Sequence, residues 1–201
     1  MTWTDFLETN ASRYLEARQW RDAGLSWEDV LRTWHKGDDL LWAAQALGLL
    51  DDAAAARVAC ACVERNATLA PDVSAVTDAI WHGDAVTAWH EIMATEAITA
   101  APEIETPGPE SPMPESEQTV DPAVAKAQFS AARLLSGDYP NVLHNAVQAR
   151  VSDARNALAQ ALRDGASIAE VRELEAAIQR VESSEHLAQA DFVRWLLGGL
   201  A

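Results

Sequence analysis

Residues Pro140–Gly165 read PNVLHNAVQARVSDARNALAQALRDG, and Ala166–Val181 continue ASIAEVRELEAAIQRV. Leu143, Val147, Val151, Ala154, Leu158 and Leu162 recur at steps of four, four, three, four and four. That spacing lays one apolar stripe along an α-helix. Asp164–Gly165 breaks it. Ser167 and Glu170 then form a capping box, and Ile168, Val171, Leu174, Ile178 and Val181 resume the same period. Two long helices about a short turn make an αα-hairpin. Each has a single apolar face, so the pair must be covered by something else.

Cover is at hand on both sides of the hairpin. Upstream, PAVAKAQFSAARLLSG reads as one helix ending at Gly137, and Pro140 suits a helix start. Downstream, DFVRWLLGGLA is strongly apolar, with Phe192, Trp195 and Leu196 prominent. This segment either completes the core of the hairpin module or docks on a partner or a second copy of the chain.

The first hundred residues read as shorter helices divided at glycines and aspartates. TDFLETNASRYLEARQW is one helix or two. Ser26 with Asp29 forms a capping box for LSWEDVLRTWHKG, in which Asp replaces the usual Glu or Gln. DDLLWAAQALG, DDAAAARVACACVERNATLA, PDVSAVTDAIWHG and DAVTAWHEIMATEAITA follow. Between the halves, APEIETPGPESPMPESEQTVDP holds six of the eight prolines and no base, which predicts an extended acidic linker over 101–121.

The sequence repeats a motif: TWHKGDDLLW at Thr33–Trp42 and IWHGDAVTAWH at Ile80–His90. Glycine past a helix end takes the left-handed conformation cheaply, and aspartate caps the next helix. Gly37–Asp38 and Gly83–Asp84 therefore read as joints, with His35 and His82 in the last turns. A zinc site needs three or four convergent ligands, whereas His82 and His90 straddle a joint eight residues apart. No metal, cofactor or catalytic residue is expected. The echo, at a period near 47 residues, is also consistent with stacked helical hairpins.

Bulk properties narrow the function. The 201 residues carry 31 acidic and 15 basic side chains, a formal charge of −16. Such a chain is a poor ligand for a nucleic-acid backbone. Most of the excess lies in residues 1–121. Eight tryptophans and abundant alanine favour helices anchored by large rings. Cys60 and Cys62 stand two apart on a helix, a spacing that forbids a disulfide, and they read as small core residues in a reducing, cytoplasmic setting. No apolar run reaches the roughly 20 residues of a membrane span.

Ala17–Asn66, with Trp20, GDDLLWAAQALG and VACACVER, resembles the all-helical immunity proteins of bacterial polymorphic-toxin systems, and AIWHGDAVTAWHEI extends the likeness. A helical group found beside type VI secretion genes is similar more weakly. Asp39 stands where the family often has Trp, and residues 122–201 are not part of the pattern. The resemblance implies a helical stack and a protein that occludes a toxin.

These readings converge on an all-α, non-enzymatic protein-binding chain. A stack of short antiparallel helices fills 1–100, a flexible linker 101–121 and a hairpin module 122–201. The expected partner is a basic toxin domain; a secretion or contractile-injection subunit, with the chain as adaptor, is the alternative. Expected contacts are Asp38, Asp39, Asp51, Asp52, Asp72 and Asp84 at helix starts, with Phe192, Trp195 and Leu196 at the C-terminal end. Neither nucleic acid nor membrane is expected as a partner, while self-association through the C-terminal module stays open.

Overall fold

Hydrogen-bonded capping residues set the helix starts. The structure, a computed structural model, describes residues 1–70, 72–82 and 121–198. It is all-α, with no strand among the described residues. The helices are α1 (Trp3–Asn10), α2 (Leu15–Asp22), α3 (Trp27–Thr33), α4 (Gly37–Ala46), α5 (Asp52–Glu64), α6 (Asp72–Trp81), α7 (Pro122–Arg133), α8 (Tyr139–Arg163) and α9 (Ile168–Gly198). Thr2 with Asp5 and Ser26 with Asp29 form reciprocal capping boxes on α1 and α3. Asp51 accepts the Ala54 N–H at 2.7 Å to open α5. Asp121 does the same for Ala123 at α7. Ser167 and Glu170 cap α9 as their spacing predicts.

Helix α5 is the hub. Ala55, Val58, Ala59, Cys60, Cys62 and Val63 are all buried, so it is covered on more than one side. That explains why two cysteines two residues apart both sit inside. It packs against α6, α8 and α9. Tryptophans and Phe6 close the other side of the core. Trp20 and Phe6 are fully buried, with Trp3, Trp34 and Trp42 arrayed around them at centroid distances of 4.9–6.5 Å. Burying such a ring contributes roughly 1.5–3 kcal/mol. Trp81 and Trp195 are the exceptions among the described tryptophans and lie exposed.

The helices on either side of the proline-rich segment share one core. Leu40, Val58 and Trp20 join Leu143, Ala190 and Val193 in a single cluster. Buried polar groups tie the halves as well. Asn66 donates to the Ala146 carbonyl at 3.1 Å, and Gln189 to the Leu143 carbonyl at 2.9 Å. Arg65 grips Glu185 through two hydrogen bonds of 2.9 and 3.0 Å. From α9, Arg194 reaches the carbonyls of Leu31 and Trp34 at the end of α3, where a cation suits the helix dipole.

The Gly37 joint is not built as the sequence suggested. Gly48, Gly137 and Gly165 do adopt positive φ where helices end, but Gly37 does not. It is the first residue of α4, preceded by Lys36, which makes no side-chain cap. A Cβ at position 37 would lie 2.4 Å from Gln189 Cβ and 2.7–2.8 Å from the backbone of Gln189 and Ala190. Glycine is required there for close approach of two helices, not for a turn. His35 lies in the loop after α3 rather than in its last turn. The linker at 101–121, apart from Asp121, the Gly83–Asp84 joint, Trp89 and His90 lie outside the described residues.

Because Gly37 is helical, propensity alone predicts that Gly37→Ala stabilises by about 0.5–1 kcal/mol. The contact with α9 predicts the reverse: a loss of about 1–3 kcal/mol from overpacking. Gly198, with open space around its Cβ position, is the control, and Gly198→Ala should stay within about 0.5 kcal/mol of the parent. Denaturant midpoints of the two variants decide between these signs.

Candidate functional site

The approach enforced by Gly37 carries the next two residues into a polar cluster between helices. Asp38, expected as a partner contact at a helix start, instead faces the hairpin and is only 15% exposed. His144 of α8 places Nδ1 3.5 Å from its Oδ2, and His186 of α9 places Nδ1 3.9 Å from its Oδ1. Burial opposes ionisation of Asp38, but the two imidazoles outweigh it and hold the carboxyl below its ordinary range. The histidines respond in opposite directions. Contact with Asp38 raises His144, while burial lowers His186 despite the same carboxylate.

Asp39 turns to the other side. Its Oδ2 accepts the Trp34 indole N–H at 2.8 Å, and Lys36 Nζ stands 4.0 Å away. Burial, with the neighbouring Asp38 charge, pushes its pKa up to about 7. Lys36 Nζ also lies 3.6 Å from Glu16. Asp39 therefore meets both Lys36 and the Asp38 and Glu16 charges, and the repulsion and burial win.

These groups border a cleft of about 400 Å³. Tyr14 and Trp42 form its apolar wall, their ring centroids 4.7 Å apart. Glu16, Asp38, Asp39 and Asp138 contribute carboxylates, with Pro140, Asn141 and His144 on the α8 side. Arg133 holds Asp138 at 3.2 Å, and Asn141 donates to the same oxygen at 2.6 Å. Four carboxyl groups thus border the cleft, with Lys36 and Arg133 paired to them from beside it, His144 raised next to Asp38, and Asp39 keeping its proton to about pH 7. The lining offers no Ser, Thr or Cys to act as a nucleophile beside the Asp38–His144 pair. The two cysteines lie elsewhere in the core, where burial raises Cys60 to about 11 and Cys62 to about 12 and keeps both thiols protonated.

The other sequence-derived contact residues lie apart from the cleft. Asp51 is exposed but engaged as the α5 cap, and Asp52 is exposed with Gln45 Nε2 at 3.4 Å. The Asp72 side chain and Asp84 lie outside the described residues. Phe192 and Leu196 are half-buried against the core, whereas Trp195 is 69% exposed. His82 donates from Nδ1 to the Asp78 carbonyl at the end of α6. Among the described residues, no three His, Cys, Asp or Glu side chains converge as metal ligands. Comparison of the chain with family models, with curated proteins and with solved structures finds no match.

Sequence reasoning weighed the tryptophan-flanked histidines and passed over His144 and His186. The available signal was modest: His144 stands beside the stripe residue Leu143, whereas His186 lies beyond Val181, the last residue of the second stripe.

Asp39 makes stability depend on pH with a definite sign. The unfolded chain releases this proton near pH 3.8, and the folded chain keeps it to about pH 7. Stability contributed by Asp39 therefore falls as pH rises through that interval. Asp39→Asn keeps an acceptor for Trp34 and removes the ionisation. At pH 8 it should be more stable than the parent by on the order of 1–2 kcal/mol, with the gap closing below about pH 4. Chemical denaturation at both pH values reads this difference, and a destabilised variant at pH 8 contradicts it.

Proposed function

We propose that the chain is a non-enzymatic binding protein whose acidic, aromatic-walled cleft receives a cationic side chain from a basic protein partner. The supporting observation is the pairing of Tyr14 and Trp42 with a surplus of carboxylates around one opening of about 400 Å³. A guanidinium or ammonium gains from both: the ring faces attract it, and carboxylates hydrogen-bond to it. The excess of acid over base in the first half of the chain adds long-range steering of a basic partner.

The partner chemistry agrees with the resemblance of Ala17–Asn66 to immunity proteins, which makes a basic toxin domain the first partner to try. Occlusion, rather than turnover, is then the mechanism. The adaptor reading needs two modules that dock separately. It is the weaker one, because a common core and the Arg65–Glu185 pair join the helices on either side of the linker.

An arginine-bearing peptide probes the cleft directly. Its titration should change Trp42 fluorescence, and affinity should fall as salt screens the charges. Glu16→Gln with Asp138→Asn should weaken binding about tenfold, which corresponds to about 1.4 kcal/mol. A glutamine-bearing analogue should not bind. Equal affinity of parent and double variant, or no binding of the arginine peptide at low salt, contradicts the proposal.

A further inference from the structure

Asp39 is short of cations for a carboxyl group in an acidic cleft. Its side chain is 16% exposed and belongs to the lining. The Trp34 indole N–H at 2.8 Å and Lys36 Nζ at 4.0 Å both approach the same oxygen, Oδ2. Lys36 is also shared, because its Nζ lies nearer to Glu16, at 3.6 Å. Around Asp39 stand Glu16 from α2, Lys36 from the loop before α4, Asp38 beside it on α4, and His144 from α8. His186 of α9 faces Asp38 Oδ1, and Asp138, next to the start of α8, is held by Arg133 of α7. The phenol of Tyr14 completes the lining. One ammonium thus serves two carboxyl groups, with a third adjacent. Acids crowded in this way in a partly dry place keep a proton among them until another cation arrives.

We infer that filling of the cleft is proton-linked: a guanidinium that enters beside Asp39 displaces the proton of its carboxyl group to water, so the site fills above neutral pH and empties below it. This inference rests on the cation-binding reading of the cleft. The Asp39 O–H bond breaks, the proton goes to solvent, and the carboxylate left behind faces the ligand; no other bond changes. Burial, with the Asp38 and Glu16 charges, pushes Asp39 up to about 7. About a tenth of the chains therefore hold it ionised at pH 6, and about nine tenths at pH 8. Apparent affinity scales with the fraction in the binding-competent form, so this range changes it about tenfold. His144 acts in the same direction. Its contact with Asp38 raises it, and on acidification it adds a positive charge on the α8 side of the opening. His186 is lowered, chiefly by burial, and contributes less. An ordinary carboxyl titrates near pH 4 and a guanidinium stays charged throughout. A step between pH 6 and pH 8 in the cleft is thus the signature of Asp39 and His144.

The probe is a peptide of glycine and serine around one arginine, with both ends blocked, titrated into the full chain at constant low salt. Its Kd should fall at least about tenfold from pH 6 to pH 8. Calorimetry at pH 7, in two buffers of different ionisation enthalpy, should show at least about half a proton released per peptide bound. His144→Gln should keep the step of about tenfold that Asp39 supplies. Asp39→Asn keeps an acceptor for Trp34 but cannot ionise, and its step should be about tenfold smaller than that of the parent. A peptide that binds with one Kd at both pH values overturns the inference and leaves the cation-binding reading standing. So does a step of equal size in the parent and in Asp39→Asn. A peptide that binds at neither pH overturns both.

Discussion

Everything in the polar cluster follows from one close contact. The start of α4 touches α9 with no room for a single methyl group at Gly37. Helices normally pack 8–10 Å apart, with side chains between them. Removing one side chain brings backbone against side chain and lets the next two residues enter the interface. Asp38 then falls between His144 and His186, and Asp39 is pressed towards Trp34. A larger residue at position 37 would open the gap, return both carboxylates to water and dissolve the cleft wall.

The same contact explains why two adjacent aspartates behave so differently. Asp38 has cationic or proton-sharing neighbours from two other helices and stays ionised. Asp39 has an indole N–H, a distant ammonium and two like charges, and holds its proton to about pH 7. Neighbouring positions on a helix point about 100° apart, so they sample different surroundings. The cleft is thus less negative near neutral pH than its composition implies, and it gains charge as the solution becomes more alkaline.

Much of the architecture is local and was legible. The hairpin shows in its stripe, and the capping boxes at Ser26 and Ser167 show in residues three apart. Gly48, Gly137 and Gly165 punctuate as expected. What escaped depends on contacts distant in sequence. A glycine that ends a helix and a glycine that admits a neighbouring helix look alike in one sequence, so Gly37 was misread. Asp38 was read as a partner contact at a helix start for the same reason. The histidines that matter sit more than a hundred residues from it. Periodicity also shows which face is apolar but not how deeply it is buried, and the stripe residues beyond Val151 are half-buried or exposed.

The account rests on Asp38 being clamped between the two long helices by the approach at Gly37. An NMR titration of the imidazoles tests this most directly. His144 should titrate above the ordinary histidine value and His186 below it, and Asp38→Asn should bring His144 back down. Coincident titrations at the ordinary value, unchanged by Asp38→Asn, would show that the carboxylate is not held there.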